Sequence, residues 1–444
     1  MPRIAVSKGH RSLARFAALA VGVLLGAATF AQITSLYYQE VAKDRHIYVF
    51  NTADRYRVFL ATGEAGPAIT LPGRGPAGET VVAENETALD LFLFKHNLPA
   101  YERPAARPTP APAYPQIKLG GTGFISYQGG KSSGSDYSKF VIKRAYLNLT
   151  AQISPYFWTR ITPDVTQDAT TGETKYRLKY AYGSFSLPQL GFLTRPFVSF
   201  GMVQTPWFDF EEKINRYRMQ DTLFLERAGL IASADVGVAL GGLLGGEMSA
   251  DYQNTVSSAF PGRYGSVLVG IYNGGGYTAS EQNTNKPLEG RLSLRPLPDL
   301  VPGFQVSYFG VVGKGNTAAA PDWSLSSGTL SFESRWVNAA TTLVTGRGNL
   351  AGNAVSTHGA PLDRDGWSAF AEGKPMSAWS VIGRYDYFKA DKTTPSSVTK
   401  RAIVGVGYHM GRGNDLLLDY DRLRYENAAK PTDSRAQLTL QFNF

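Results

Sequence analysis

Apolar and polar residues alternate with a period of two along most of the chain after Ile117. In residues 139–152, for example, Val141 and Leu147 fall on one side of the pattern and Arg144 falls on the other. Sixteen segments follow this pattern, and most have the length that a tilted strand needs to cross a bilayer. We predict strands at residues 117–128, 139–152, 157–166, 175–187, 196–205, 234–244, 265–273, 287–296, 302–313, 326–336, 339–347, 365–373, 378–390, 398–409, 414–425 and 435–444.

The connections between these strands alternate in length. Short connections such as 154–157 and 411–414 are separated by longer polar ones such as 348–363. This alternation is typical of a β-barrel with tight turns at one rim and larger loops at the other. Residues 246–255 have a pattern that would add a seventeenth strand. A barrel with an odd number of strands would have its two chain ends on opposite sides of the membrane. We therefore interpret residues 245–264 as a long connection on the inner side.

The two strand faces differ in chemistry. One face is rich in Leu, Tyr and Phe, and the other carries large charged residues in mid-strand. A soluble β-sandwich shows the same alternation with its apolar face inward, but mid-strand charges suit a wet lumen better. Because unpaired strand edges are costly in lipid, the last strand must pair with the first. Residues predicted to face the lumen are Arg144, Arg160, Arg177, Lys179, Arg291, Arg295, Arg384 and Arg401, with Asp164, Glu289, Asp386, Asp419 and Asp421.

Residues 1–31 combine a basic start with a short apolar run, AALAVGVLLGAATF. Small residues, Thr29 and Ala31, stand three positions and one position before a cleavage point at Gln32. This pattern predicts a cleaved secretory signal peptide. The alternative, a membrane-anchoring helix, is disfavoured because the apolar run is shorter than the roughly 20 residues that a span needs.

Residues 32–98 differ from the rest of the chain because short strand patterns alternate with helical ones. They predict strands at 46–50, 68–71 and 79–84 and helices through 54–60 and 84–98, the second capped by Asn85. Prolines then recur through residues 99–116, which is typical of a semi-extended linker. The predicted fold is therefore all-β: a 16-stranded antiparallel transmembrane β-barrel, residues 117–444, with a small N-terminal periplasmic α+β module.

Composition narrows the classes of function. Without the signal peptide the chain carries 41 basic and 36 acidic residues. The sequence has no dense basic stripe of the kind that a nucleic-acid-binding surface needs, so we predict no nucleic-acid partner. Cysteine is absent, which excludes thiol catalysis and cysteine-ligated zinc, and the few histidines lack metal-ligand spacing. We therefore predict no cofactor and no metal site. The 24 Tyr, 24 Phe and 47 Gly are typical of a β-rich chain with many turns and aromatic girdles.

Three stretches resemble Gram-negative outer-membrane porins, above all the phosphate-selective porin O and P family: FLERAGLIASADVGVALGG (224–242), VGIYNGGGY (269–277) and the terminal LTLQFNF (438–444). The resemblance implies a homotrimer of 16-stranded barrels surrounded by lipid and lipopolysaccharide, with a loop folded into each pore. It also implies that Phe444 is a signal read by the outer-membrane assembly machinery. Phosphate selectivity is not carried over, because only part of a basic ladder is present.

The connection at residues 206–233 is the longest and is rich in both signs of charge. We predict that it folds into the barrel and narrows the pore, with opposed charges creating a transverse field. The alternative is an ion-paired surface loop. Its predicted constriction residues are Glu211, Glu212, Lys213, Arg216, Arg218, Asp221, Glu226 and Arg227.

These features predict a porin, a channel for passive diffusion of ions and small hydrophilic solutes. The residues predicted to face the lumen include eight basic and five acidic ones, which predicts a weak preference of the channel for anions. An enzyme is disfavoured: His409 could be oriented by Asp419 or Asp421, but no nucleophile motif accompanies it. The other alternative is a cell-envelope tether in which residues 32–98 bind peptidoglycan or a periplasmic partner. Conductance in planar bilayers distinguishes channel from tether.

Overall fold

The computed structural model describes residues 37–101, 113–167 and 171–444. The predicted signal peptide, and residues 102–112 of the predicted linker, lie outside these ranges. The chain divides into two compact units, with the boundary between Ala111 and Pro112.

The first unit is a four-stranded sheet with two helices. Strands β2 and β4 pair in parallel in the sheet order β1-β2-β4-β3, because helix α1 carries the chain back across the sheet between them. Strand β1 was not predicted, since its sequence QEVAK is short and charged, as edge strands often are. The elements are β1 (Gln39–Lys43), β2 (His46–Phe50), α1 (Ala53–Thr62), β3 (Ile69–Leu71), β4 (Thr80–Ala83) and α2 (Glu86–Lys95).

Helix α2 begins where the sequence predicts. The Asn85 side chain accepts a hydrogen bond from the Ala88 backbone N–H at 2.9 Å, which satisfies one of the helix's free donors. The buried face of α2, which includes Leu89 and Phe92, packs on Val49 and Val81 of the sheet. This core confirms the predicted α+β module. No helix in the described part of the chain is long and apolar enough to cross a bilayer.

The second unit is a closed barrel of sixteen strands, which confirms the predicted fold class. All neighbouring strands are antiparallel, and the last strand, β20, pairs with β5 to close the ring. The strands are β5 (Gln116–Ser132), β6 (Ser135–Ser154), β7 (Phe157–Gln167), β8 (Thr174–Ser186), β9 (Leu193–Gln204), β10 (Ala234–Leu244), β11 (Gly265–Tyr272), β12 (Leu288–Leu294), β13 (Phe304–Lys314), β14 (Asp322–Glu333), β15 (Val337–Arg347), β16 (Asp363–Met376), β17 (Trp379–Lys389), β18 (Val398–Gly411), β19 (Asn414–Tyr425) and β20 (Asp433–Asn443).

The barrel is apolar outside and polar inside. On β20, Leu438 and Leu440 are 44% and 37% exposed, whereas Gln437 and Thr439 are 1% and 0% exposed. On the other strands, the exposed large apolar residues are Leu, Ile, Val, Tyr, Phe, Trp and Met. This distribution is the reverse of a soluble protein and is the one that a lipid surrounding favours.

Two β-bulges shift the predicted alternation. Lys143 is an extra residue on β6, so that Phe124 pairs with Arg144 while Ile125 pairs with Ile142. Beyond the bulge the faces exchange, and Val141 lies opposite the buried Ser126 on the lumen side, so its predicted apolar-face position is wrong. A second shift, on β7 and β8, places Lys179 as the extra residue beside Pro163, which cannot donate to the ladder.

Residues 245–264 form no strand of the barrel. They contain the short helix α5 (Ala250–Thr255) and a single bridge between Glu247 and Gly262. The interpretation of this segment as a connection is therefore confirmed, and the even strand number places both barrel ends at one rim. At that rim, rings of the terminal strand lie over glycines of β5: a Cβ on Gly123 would meet the Phe442 ring at 2.2 Å.

Candidate functional site

The connection between β9 and β10, residues 205–233, lies inside the barrel. Arg216 reaches Glu372 Oε1 on β16 at 3.1 Å, and Lys143 Nζ on β6 donates to the Met219 carbonyl at 2.6 Å. Because β6 and β16 stand far apart around the ring, the segment crosses the lumen. We call residues 205–233 the inner loop. Its elements are helix α3 (Pro206–Ile214), one turn of 3-10 helix (Arg218–Gln220) and helix α4 (Phe224–Arg227).

Apolar side chains hold the inner loop against one wall. Trp207, Phe210 and Ile214 lie on one side of α3 and pack on a cluster that includes Phe309 and Trp323 of β13 and β14. Each of these five side chains is at most 2% exposed. Burial at about 25 cal/mol per Å² makes this contact, rather than the loop's charges, the main reason for its position.

A buried arginine braces α3 from below. The Arg291 guanidinium lies between the rings of Phe210 and Phe260, 4.5 and 4.8 Å from their centroids, and its Nε donates to the Pro206 carbonyl at 3.0 Å. Phe260 belongs to residues 245–264, the connection at the opposite rim. The inner loop and the connection 245–264, which enter from opposite ends of the barrel, therefore meet at Arg291. The Arg291 side chain lies under α3 and does not line an open pore.

The charged residues of the inner loop bind one another and the wall. Arg218 contacts Glu212 at 3.0 Å and Glu226 at 3.2 Å within the loop. Arg227 reaches Asp386 on β17 at 3.3 Å, in addition to the Arg216–Glu372 pair. The structure thus brings most of the predicted constriction residues together as ion pairs. Three members remain. Asp221 is paired with Arg435 at 3.2 Å, and Glu211 accepts a hydrogen bond from Trp207 Nε1 at 2.8 Å. Lys213 is exposed.

Burial and neighbouring charges shift the pKa values of acids on the inner loop. Burial raises the pKa of Asp209, and it raises the pKa of Glu211 to about 7. Burial alone would raise the pKa of Asp221 too, but the cations Lys143, Arg227 and Arg435 outweigh it and lower that pKa. Of these three acids, Asp221 is the one whose charged form its surroundings favour.

Basic residues of β6, β7 and β8 form a wall facing the inner loop. Arg144 and Arg177 both contact Asp164 Oδ2 at 2.7 Å, so two cations share one carboxylate. The Lys179 amino group lies 4.8 Å from the ring centroid of Tyr146. Arg160 similarly lies over Tyr180 at 4.5 Å. These four cations, which the alternation predicts at the lumen, lie there together and give this wall a net positive charge; we call them the basic wall.

A second charged cluster lies across the lumen. Arg401 makes two hydrogen bonds of 2.7 Å to Asp421, and Arg384 Nε donates to Asp386 at 2.9 Å. The Nε and Nη2 atoms of Arg227 are buried and have no hydrogen-bond acceptor among the described residues. Unpaired guanidinium donors in a wet lumen can bind water or anions.

Several residues predicted to face the lumen instead make contacts within the barrel wall or its rim. Arg295 lies over the Tyr252 ring at 4.9 Å and donates to the Pro302 carbonyl, so it supports the rim. Asp419 accepts from Gln437 at 2.9 Å within the wall. Glu289 is fully buried, and neither of its carboxylate oxygens has a partner in the described residues.

The expected partners of His409 were wrong. Its Nδ1 lies 2.6 Å from Asp415 Oδ1, and its Nε2 lies 2.8 Å from Ser380 Oγ, whereas the sequence pointed to Asp419 or Asp421. The reason is the strand register, which pairs His409 directly with Asp415. A Ser–His–Asp series is thus present in the lumen.

This series is not arranged for nucleophilic catalysis. The Ser380 hydroxyl also contacts Glu372 Oε1 at 2.8 Å, and Arg216 Nη2 lies 3.0 Å from His409 Nε2. Glu372 and His409 compete for the one hydroxyl proton, and Arg216 occupies the approach to the imidazole. Tyr217 Oη also donates to Glu372 at 2.6 Å, so the group ties the inner loop to the wall.

Sequence reasoning missed Lys143, Glu372 and Arg435 as lumen residues. Lys143 is the bulge residue, and alternation alone cannot reveal an inserted residue. Arg435 could have been found, because Leu438 and Leu440 are outer residues and counting back by twos from Thr439 between them places residues 437 and 435 on the inner face. Glu372 follows in the same way from its neighbours on β16.

No family model matches the chain, and no curated protein matches it. Among solved structures it is similar to the outer membrane channel DcaP of Acinetobacter baumannii, with TM-score 0.51, 12% identity, and 74% of this chain and 97% of that chain covered. The anion-selective porin from Comamonas acidovorans gives TM-score 0.51, 11% identity, and 74% and 100% covered. Salmonella typhi OmpF, in complex with daunomycin, gives TM-score 0.50, 12% identity, and 74% and 97% covered. These values establish a shared general porin fold and leave the narrower phosphate-selective resemblance a prediction.

Proposed function

We propose that the protein is an outer-membrane porin whose barrel conducts small hydrophilic solutes passively, with a lean towards anions. The observation that carries this proposal is a closed, lipid-compatible barrel whose charged lumen is narrowed by the inner loop. The shared fold with three outer-membrane proteins supports it. Export by a cleaved signal peptide and recognition of Phe444 by the assembly machinery belong to the same proposal.

The conducting path in this proposal runs between the inner loop and the basic wall. Arg144, Arg177 and Lys179 supply positive charge on one side, while Asp209 and Glu212 stand on α3. Opposed charges across a narrow passage orient dipolar solutes, and the surplus of cations attracts anions. The lean towards anions therefore depends on the basic wall.

Removing two charges from the basic wall tests this function. We expect the double substitution Arg144→Gln and Arg177→Gln to move the reversal potential in a KCl gradient towards cation selectivity, because the basic wall then keeps only two of its four cations. The measurement uses purified protein in planar bilayers. The control is Arg347→Gln, an exposed residue at the end of β15. Absence of any conductance would contradict the channel, and an unchanged reversal potential would contradict the role of the wall.

The orientation of the barrel follows from its connections. The rim that carries both barrel ends has two-residue turns after β6, β16 and β18. Short turns are typical of the periplasmic side of such barrels, so we place this rim there and the N-terminal module in the periplasm. A tethering role for that module stays a prediction.

We also propose a homotrimer. Gly290, Gly310, Ser326 and Thr345 pair in a continuous row across β12 to β15, on the outer face. Small residues let two membrane surfaces approach closely, whereas lipid-facing rows elsewhere on this barrel carry Leu, Val or Tyr. This row is the proposed centre of the subunit contact.

A further inference from the structure

A cavity of about 470 Å³ lies beneath α3, on the periplasmic side of the inner loop. Its wall includes four aromatic side chains, each from a different part of the barrel: Trp158 of β7, Tyr182 of β8, Phe197 of β9 and Phe260 of the connection 245–264. The volume falls in the range of about 300–1,000 Å³ that small-molecule sites occupy. A solute leaving the constriction would enter this space.

Polar groups lie between the rings. The Ser199 hydroxyl, which is 5% exposed, donates to Oγ of the fully buried Ser184 at 2.9 Å, and Gln204 Nε2 donates to Asp209 Oδ1 at 2.8 Å. A hydroxyl accepts as well as donates, and the second Asp209 oxygen is a further acceptor for a ligand. The lining thus alternates flat apolar surfaces with hydrogen-bonding groups.

The charges of the cavity are already compensated. Arg195, the one cation in the lining, contacts Glu247 at 3.2 Å and points to the rim. Asp209, the one carboxylate, accepts from Gln204, and burial raises its pKa, which disfavours its charged form. An organic anion would need a free cation at hydrogen-bond distance, and an ammonium would need an uncompensated carboxylate. The lining therefore favours a neutral ligand.

We propose that this cavity is a binding site for neutral sugars. A sugar ring presents an apolar C–H face to an aromatic side chain and hydroxyls at its edge, which match the two kinds of surface in the cavity. The inference rests on the proposed channel function and names a solute class for it.

A second cavity, of about 280 Å³, adjoins the first. The two share Arg195, Phe197, Phe260 and Leu268 in their walls. A disaccharide has the length to occupy both, whereas a monosaccharide fills only one.

Sugar-dependent block of ionic current tests the site. Sucrose and D-glucose are titrated against the ion current of purified protein in planar bilayers, with D-mannitol as the matched control because it has hydroxyls but no ring. We expect saturable block by the two ring sugars, tighter for sucrose, and only the unsaturable decrease due to viscosity with mannitol. Equal block by mannitol would overturn the proposal. Saturable block by benzoate, an organic anion, would also overturn it if neither sugar blocked the current.

Variants connect the block to the cavity. Trp158→Ala is expected to raise the half-blocking sucrose concentration about tenfold, and Trp158→Phe, which keeps a ring, about twofold. The control is Trp367→Ala, a tryptophan on the lipid-facing side of β16. Block that is unchanged in Trp158→Ala, in a variant that still conducts, would overturn the site.

A measurement without current separates this inference from the channel proposal. Sucrose binding to detergent-solubilised protein is followed by intrinsic tryptophan fluorescence, with Trp158→Phe identifying the contribution of Trp158. Saturable binding in a protein that does not conduct would uphold the site and overturn the channel. Conductance without any saturable sugar effect in either measurement would overturn the site and leave the channel intact.

Discussion

Glu40 illustrates how one side chain joins the two ends of the N-terminal module. Its carboxylate accepts from Tyr38 of the chain before β1, from Lys95 Nζ at 3.1 Å and from His96 Nε2 at 2.9 Å. Burial alone would raise the pKa of Glu40, but the hydrogen bonds from Tyr38, His96 and Lys95 outweigh it and lower the pKa below its usual value of 4.5. The module is therefore more stable when Glu40 is charged.

Neutralising Glu40 should weaken the module in a pH-dependent way. A lowered pKa contributes stability that is present above the unfolded value and is lost as the pH falls through the folded value. We expect Glu40→Gln to cost about 1 kcal/mol at pH 7, or about 4–8 °C in the module's unfolding midpoint, and to cost little at pH 3. Scanning calorimetry of the full chain measures this, with exposed Glu64→Gln as the control. A difference that is the same at both pH values would contradict the prediction.

At the level of elements, the alternation of residues predicted the strands well because the barrel has chemically opposite faces. The strand over 414–425 has the predicted bounds, and that over 398–411 is two residues longer than predicted. The strand bounds are less accurate elsewhere, as at 322–333, where 326–336 was predicted. The assignment of faces fails where one residue is inserted, as at Lys143, because a bulge depends on pairing between strands and leaves no period in the sequence. The charges of the inner loop suggested its position, but the apolar side of α3 that holds it there was not predicted.

The brace beneath α3 should control how steadily the channel stays open. Phe260→Ala removes one ring from the Arg291 guanidinium, a contact worth about 1–2 kcal/mol when desolvated, so displaced positions of the inner loop become about tenfold more populated. We expect more frequent brief current transitions in single-channel recordings, with the barrel still folded. Tyr156→Ala, in an exposed turn at the same rim, is the matched control. Recordings that match the unsubstituted protein would show that the connection 245–264 does not brace the loop.

At the scale of the whole molecule, the proposed trimer depends on the row of small residues on the outer face. Gly290→Trp adds bulk in that row without an internal clash, since the nearest atom to a Cβ there is a Val269 methyl at 3.6 Å. We expect this variant to be monomeric in native mass spectrometry while keeping its barrel. The control is Gly383→Trp on β17, where a Cβ would meet nothing within 4 Å. Trimers in the Gly290 variant, or monomers in the control alone, would contradict the proposed contact.

The pairing of β20 with β5 also determines when the barrel can close during the synthesis of the chain. The two strands that close the ring are the first and the last of the barrel to leave the ribosome, so synthesis must finish before any complete wall is available. A chain that lacks its last strand has two open edges, and each exposed backbone group there costs several kcal/mol in lipid. Truncation near the C-terminus is therefore an all-or-none loss, and the unfinished chain has to be kept soluble through its whole passage to the membrane.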